Sequence, residues 1–542
     1  MKKRTIAIFG VLALALSGCA AEGSDQGAPS LSTDDLAVTT PAGGELDLAT
    51  WNLPFGEPAS LDPIKAYNYA ENTVVANLCE GLMQLQPDYT VQPNLAESVD
   101  SPDASTWIYT IRQNVKFWDG EPMTTDDVMF SLGRQLDPNE GSYWAGDVVG
   151  NIASIDKTGD WEITVSLTRP DATFNSYMAT PIGNVVEQAH RVAAGESYGT
   201  PSGGVMCTGP YSVGAWNQGQ SISLERNDNY WNAKKVAKTK QVDISFIVDA
   251  AAISNALSTG AIDGSYDVPL GSIANLESAT DGSLILGRSL QIIAIIGTGN
   301  GTFADPAVRK ALMLATDREA IAATVFEGTA EASASLVPNN AWSYADDIYK
   351  KGRASLTPTT VDIDAAKEAL KDATVDLTQP ISIVYPSERS YYADIISEIS
   401  NGATAIGLTV VPEGVPSAQF GAFFSDPEAR AGHDAFVTAN YMDTPDPLAF
   451  LRTILGTGGG QNYNEYSNAQ VDGLLADAGA ASDDKDRATI VNDIQKLAMA
   501  ELPWIPIVDP SVRLFLNDRV TGVPASFVYL YYPWAADLGA AE

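Results

Sequence analysis

Two hydrophobic periods alternate along this chain, and the alternation limits it to mixed α and β folds. Trp161, Ile163, Val165 and Leu167 interleave with Glu162, Thr164 and Ser166, the two-residue period of a half-buried strand, behind the turn signal Lys157-Thr158-Gly159-Asp160. With Ile152 to Asp156 this strand predicts a hairpin, and Trp107, Tyr109 and Ile111 predict another strand by the same alternation. Helices are marked by their starts. Asp305 can cap, Pro306 suits the first helical position, and Val308, Leu312 and Ala315 then fall on one face. Thr124 or Thr125 caps a second helix whose first turn holds Asp126 and Asp127, where the helix dipole favours negative charge. There is no internal repeat or heptad run. The 542 residues suffice for about three domains at roughly 150 residues each.

The first eighteen residues follow neither period. Lys2, Lys3 and Arg4 precede an apolar run from Ile6 to Leu16, too short to span a bilayer as a permanent helix, which reads as a secretory signal. The run closes in Leu16-Ser17-Gly18-Cys19, similar to the lipobox of bacterial lipoproteins, so residues 1–18 are expected to be removed and Cys19 to carry a lipid anchor. The alternative is an ordinary signal peptide cut near Ala20. From Ala20 to about Gly44 the chain is Ala, Gly, Ser, Thr, Asp and Pro with almost no large apolar residue, a composition that cannot bury enough surface to fold. Residues 19–44 are therefore expected to be a tether, reaching roughly 25 to 30 Å as a flexible coil. The protein is placed on the outer face of the cytoplasmic membrane.

Charge removes one class of function and residue inventory removes others. The chain has 32 basic and 68 acidic residues, a formal charge of −36, and loses three positive charges with the leader. Such a surface repels phosphate backbones, so no nucleic-acid partner is expected. Gly195-Glu196-Ser197-Tyr198-Gly199 matches a nucleophile elbow, but the helix-like segment Val185 to Ala194 stands where that motif needs a strand. Two histidines, His190 and His433, and three cysteines offer no zinc spacing. Gly297-Thr298-Gly299-Asn300-Gly301 lacks both the full dinucleotide fingerprint and a P-loop lysine, and reads as flexible or close-packed backbone. Acidic pairs such as Asp483-Asp484 read as solvated caps. The protein is read as no enzyme, with no cofactor and no metal.

An ordered set of motifs resembles the extracellular solute-binding proteins of family 5, the oligopeptide- and dipeptide-binding components of ABC importers. It begins at Leu61-Asp62-Pro63, Cys79-Glu80-Gly81-Leu82 and Pro93-Asn94-Leu95. It is densest from Trp107 to Leu132, with Val115-Lys116-Phe117-Trp118-Asp119-Gly120 and Thr125-Asp126-Asp127-Val128. Further on come Thr208-Gly209-Pro210-Tyr211, Asn227-Asp228-Asn229-Tyr230-Trp231, Val308-Arg309-Lys310-Ala311-Leu312, Asp317-Arg318, Asp443-Thr444-Pro445-Asp446-Pro447 and Glu501-Leu502-Pro503-Trp504. Departures are Cys207 where glycine is usual, Met442 where a small residue is common, and Gly297 at the family's hinge asparagine.

The resemblance implies an α/β fold of the two-lobed periplasmic-binding-protein type, type II, in the large peptide-binding class with an inserted subdomain. Lobe I would comprise residues 46–75, 205–290 and 505–542, the insert 76–204, and lobe II 291–504. It implies capture of a small peptide between the lobes and delivery to ABC permease subunits by a monomer. An oligosaccharide, a nickel chelate or an opine-like metabolite is the alternative ligand. Asp443 occupies the position that holds a peptide α-ammonium in the family, and Arg389 lies where dipeptide binders place an arginine for the α-carboxylate. Asn52, Leu53, Pro54 and Phe55, with Asn440 and Tyr441, are the expected source of strand-like pairing to the peptide. Cys79 and Cys207 both fall in the lobe I half and in an oxidising compartment, so a disulfide between them is expected, against two separate buried thiols.

Overall fold

Residues 31–34 and 36–542 are described by the computed structural model, and two sheets joined by two crossings carry its architecture. In the seven-stranded sheet, Leu46–Asn52 lies between Thr239–Ser245 and Gly264–Ser265 and runs parallel to both. Ser221–Arg226 and Tyr211–Asn217 continue it on one side, Val512–Asn517 and Gly282–Gly287 on the other. The six-stranded sheet runs Ala330–Ala332, Trp504–Pro510, Gln291–Gly297, Ala435–Tyr441, Ile381–Pro386, Val410–Val415 in spatial order. Its strand Gln291–Gly297 is buried at every position, which explains a continuous apolar run rather than alternation. The helix Tyr391–Ala405 covers Ile381–Pro386 and Val410–Val415.

A four-stranded antiparallel sheet, Ala96–Asp103, Thr106–Ile111, Glu162–Leu167 and Ile152–Gly159, forms the inserted segment. Trp107, Tyr109 and Ile111 point inward beside Ile163, Val165 and Leu167, and Ile152 pairs with Leu167 in the hairpin. The helix caps are also as read. Asp305 accepts from Ala307 N at 2.8 Å at the head of Pro306–Ala315, and Thr124 forms a capping box with Asp127 on Thr125–Leu136.

The chain passes between the large sheets after Gly287 and again at Ser511. Trp504–Pro510 pairs with Gln291–Gly297, so the second crossing comes later than residue 505. The expected tether also ends earlier. Ala37 N donates to Leu286 O at 2.9 Å, Thr40 N to Val523 O at 3.1 Å and Gly44 N to Ala540 O at 2.8 Å. Backbone pairing, which composition does not report, docks these residues on the first lobe. Residues 1–18 and Cys19 lie outside the described residues.

Many resemblance motifs prove to be partners of one another. The Glu80 carboxylate, 3% exposed, accepts from Thr208 Oγ1 at 2.8 Å, Tyr230 OH at 2.7 Å, Trp231 Nε1 at 2.8 Å and Asn94 Nδ2 at 3.3 Å. Burial raises its pKa and these four donors oppose that rise. Arg134 reaches Asp62 with both terminal nitrogens, at 3.1 and 2.6 Å. Beside Glu80, Cys79 and Cys207 are disulfide-bonded, with Cα atoms 5.0 Å apart across a sequence separation of 128. Gly264 permits the central packing, because a Cβ there would stand 2.4 Å from the Trp51 ring, which itself lies 4.5 Å from Trp534.

Two other sequence readings resolve structurally. Ser197 follows the helix Gln188–Ala194 and donates its hydroxyl to Ala194 O at 2.7 Å. Gly301 has φ of +59°, and a Cβ there would lie 2.1 Å from the Asp434 carboxylate, so this glycine run is close-packed backbone.

Candidate ligand cleft

In open α/β sheets ligands bind beyond the carboxyl ends of parallel strands. Asn52, Ser245 and Ser265 end three such strands of the first sheet, and Pro386, Val415 and Tyr441 end three of the second. The two edges face each other. Tyr441 OH donates to Tyr67 O at 3.0 Å, and the rings of Phe55, Tyr69 and Tyr441 follow one another at 4.5 and 5.2 Å.

Asp443, two residues beyond Tyr441, accepts from Tyr531 OH at 2.8 Å and has no cation within 4.0 Å among the described residues. Burial pushes its carboxyl up to about 6, with the Tyr531 hydroxyl pulling the other way. Burial, and after it the charge of the same acid, push the Tyr143 phenol up to about 12. Asp443, Tyr441 and Tyr69 are each only half-buried, yet burial dominates their ionisation.

The strand Ala435–Tyr441 is paired along one side only for most of its length. Met442 N donates to Leu290 O at 3.0 Å, so the even-numbered residues bond to Gln291–Gly297 and the odd-numbered ones turn outward. On that outer side Ile381–Pro386 reaches only Ala435 and Phe436. The outward N–H groups of Ala439 and Tyr441 donate to Tyr392 OH and to Asn440 Oδ1, each at 2.8 Å. Asn440 Nδ2 is held by Gln461 Oε1 at 3.0 Å.

Arg389 sits three residues past Pro386, exposed in accessibility, with its charge felt at Tyr69 and Tyr391. The cleft therefore brings together Asp443, Arg389, Asn440, Tyr441 and Phe55. Asn52 and Leu53 are engaged within the first sheet instead. Asn52 is fully buried and its side chain bonds both ways with Ile247, at 3.1 Å each. Leu53 N is taken by Ser245 O and Leu53 O by Gly56 N, at 2.9 and 3.2 Å. Pro54 has no N–H to offer. These residues extend the sheet's own pairing, and only the Phe55 ring enters the aromatic wall.

Sequence reasoning missed Tyr69, Tyr143, Tyr391 and Tyr531. The one available signal was local density, tyrosine at 67 and 69 and again at 529, 531 and 532, but most such rings are core. A depression of about 330 Å³ between Arg169–Pro170 and the loop Gly456–Gly459 lies away from the strand ends. It marks the outer seam between the insert and the second lobe.

At that seam the lobes are pinned together. Arg452, on the helix Pro447–Leu455, reaches Asp171 at 2.6 Å, and Ala172 N donates to Gly479 O at 2.9 Å. Asp171 is fully buried here and would be hydrated if the lobes parted. Arg452→Ala is therefore expected to weaken ligand binding by about 2 to 5 kcal/mol from outside the cleft, by penalising closure. Titration calorimetry with a tripeptide checks this; an unchanged affinity contradicts it.

Residues 90–462 match the family described as bacterial extracellular solute-binding proteins, family 5. The chain is 24% identical over 549 residues to the dipeptide-binding protein DppE of Bacillus subtilis (strain 168), covering 97% of both chains. It is similar in structure to the ABC transporter-associated periplasmic binding protein DppA of Helicobacter pylori in complex with peptide STSA. That similarity has a TM-score of 0.78, 21% identity and coverage of 92% and 99% of the two chains. The binding protein AgaA of A. tumefaciens R10 in complex with agropinic acid also gives a TM-score of 0.78, with 22% identity and coverage of 91% and 99%.

Proposed function

The chain belongs to the bacterial extracellular solute-binding proteins of family 5, and from that membership we propose that it captures a short peptide between its lobes and delivers it to an ABC permease. The observation that carries the peptide reading is an outward strand edge, from Val437 to Tyr441, ending at a half-buried acid without a counter-cation among the described residues. An extended peptide adds a strand to such an edge, exchanging the Tyr392 and Asn440 contacts for its own backbone groups. Asp443 receives the α-ammonium in a charge-assisted contact, and Arg389 faces the α-carboxylate. Because backbone groups do most of the pairing, side-chain selectivity is expected to be loose. Calorimetry with a free tripeptide and its N-acetylated form tests this reading.

The nearness of an agropinic acid binder makes an opine-like metabolite the second reading. A nickel chelate is the least favoured reading, on a sequence with two histidines. Among the described residues no group of three or more His, Cys, Asp or Glu side chains could hold a metal ion, and His190 and His433 are engaged with Gly203 O and Glu413.

Ligand contacts to both lobes favour the closed form, so the unliganded protein is expected to open. Small-angle scattering should show a smaller radius of gyration with saturating tripeptide; superimposable profiles contradict the clamp. The reading extends to a lipid anchor at Cys19 and a monomeric receptor. Among the described residues no helix is long and apolar enough to cross a membrane. Wild type is expected in the membrane fraction and Cys19→Ser, once processed, in the soluble one; a processed Cys19→Ser protein that stays with membranes contradicts the anchor.

A further inference from the structure

The first crossing between the large sheets carries an arginine whose contacts reach four separate parts of the chain. Arg288 follows Gly287, the last residue of the strand Gly282–Gly287, and leads into Gln291–Gly297 of the other sheet. Its backbone is held from two sides. The N–H donates to Ala37 O at 3.3 Å, and the carbonyl accepts from Phe527 N at 2.9 Å. Gly287 permits the close layering, because a Cβ there would stand 1.9 Å from Ala525 O. Main chain from the N-terminal segment, the crossing and the C-terminal return is thus stacked at one point.

The half-buried side chain leaves that point toward two bodies at once. Its guanidinium carbon lies 4.3 Å from the centre of the Tyr89 ring, in the turn between the insert strands Met83–Leu85 and Val91–Pro93. Its Nη2 donates to Asn340 O at 2.8 Å, in the loop that follows Ala330–Ala332 of the six-stranded sheet. The next residue back in that loop is tied to the second crossing. Asn339 N donates to Asp509 Oδ2 at 3.0 Å, two residues before Ser511. One guanidinium therefore joins the insert to the second lobe and, through the loop, the first crossing to the second. Both residues that it touches stand in left-handed backbone, Tyr89 at φ of 74° and Asn340 at φ of 58°. Asparagine tolerates that region, whereas a fully buried tyrosine holds it only where its surroundings fix it.

Rotation about a line through the crossings moves an atom in proportion to its distance from that line. The Arg452–Asp171 pair, at the outer seam, must part when the lobes open, while contacts made at a crossing can persist. A planar guanidinium suits such a contact because it stacks by its face on a ring and donates by its edge to a carbonyl at the same time. An ammonium does one or the other.

We propose that Arg288 is the pivot of the clamp, a positioning residue that keeps the insert and the second lobe in register while the lobes open and close. The inference goes beyond the peptide reading and holds whichever ligand the cleft takes.

The test is double electron–electron resonance on the processed Cys19→Ser protein without ligand, spin-labelled through Val192→Cys on the insert and Val361→Cys on the second lobe. Both positions are exposed, at 65% and 40%. The parent is expected to give narrow distances between the labels. Arg288→Met and Arg288→Lys should both broaden them while leaving the urea midpoint little changed, and Tyr89→Phe, which keeps the ring, should leave them narrow. Distances as narrow in both Arg288 variants as in the parent overturn the pivot. A lowered urea midpoint without broadening makes the residue merely structural and also overturns it. If Arg288→Met does not fold, Arg288→Lys, which keeps the charge and the stem, decides by the same reading.

Discussion

Asp443→Asn is expected to lower the affinity for a peptide with a free α-ammonium by about 2 to 5 kcal/mol, the cost of truncating one member of a buried charged contact. N-acetylation of the peptide has a comparable effect on wild type and adds little in the variant, because both changes remove the same interaction. The pH dependence follows from the same geometry. Burial pushes the Asp443 carboxyl up to about 6, above its unfolded value, so protonating this group stabilises the protein without ligand. That contribution is complete below the unfolded value and is lost as the pH rises through about 6. An ammonium ligand selects the ionised form, so its affinity should fall as the pH drops below 6, by up to about tenfold per unit. Asp443→Asn should abolish this limb. Calorimetry between pH 5 and pH 8 checks it, and a variant that keeps the acid limb or the acetylation penalty contradicts the role of Asp443.

Removal of the disulfide gives the second large effect. In the chain-entropy account, closing a loop across a separation of 128 residues is worth about 5 kcal/mol. The Cys79→Ser/Cys207→Ser protein should unfold at clearly lower urea concentration, with a raised m-value because its unfolded chain is released from the loop and exposes more surface. The bridge also holds the segment that presents Glu80 to its four donors, so it ties the insert to the first lobe at a polar network intolerant of displacement. Two free thiols titrated in the unreduced, denatured wild type would contradict the bond, and a variant as stable as wild type would contradict its weight.

How much of this was legible in the sequence depends on the range of the interactions. The strands around Trp107 and Ile163 and the caps at Asp305 and Thr124 were readable because periodicity and capping are local. The motifs that carried the family resemblance are largely scaffold. Glu80, Asn94, Thr208, Tyr230 and Trp231 meet at one buried carboxylate, and their spacing in the chain gives no hint of it. Asp443 and Arg389 enter the proposed site through the resemblance alone. Asn52 and Leu53 prove to be engaged within the first sheet, because a strand end with free-looking polar groups is indistinguishable, in sequence, from one already paired within its sheet. Tyr531 was invisible, since it reaches Asp443 only through the chain's return across the crossing at Ser511.

The central claim is that this cleft holds a peptide, and thermal shift of the soluble protein against three ligand classes tests it most directly. A mixture of short peptides, a panel of oligosaccharides and a nickel–histidine chelate are compared at equal excess. A ligand at 100 times its dissociation constant adds about 2.7 kcal/mol to stability, which for a chain of this size is a readable rise in midpoint. Stabilisation by the peptide mixture alone, lost on N-acetylation of its members, is the expected result. Stabilisation by sugar or nickel chelate with none by peptides would contradict the claim.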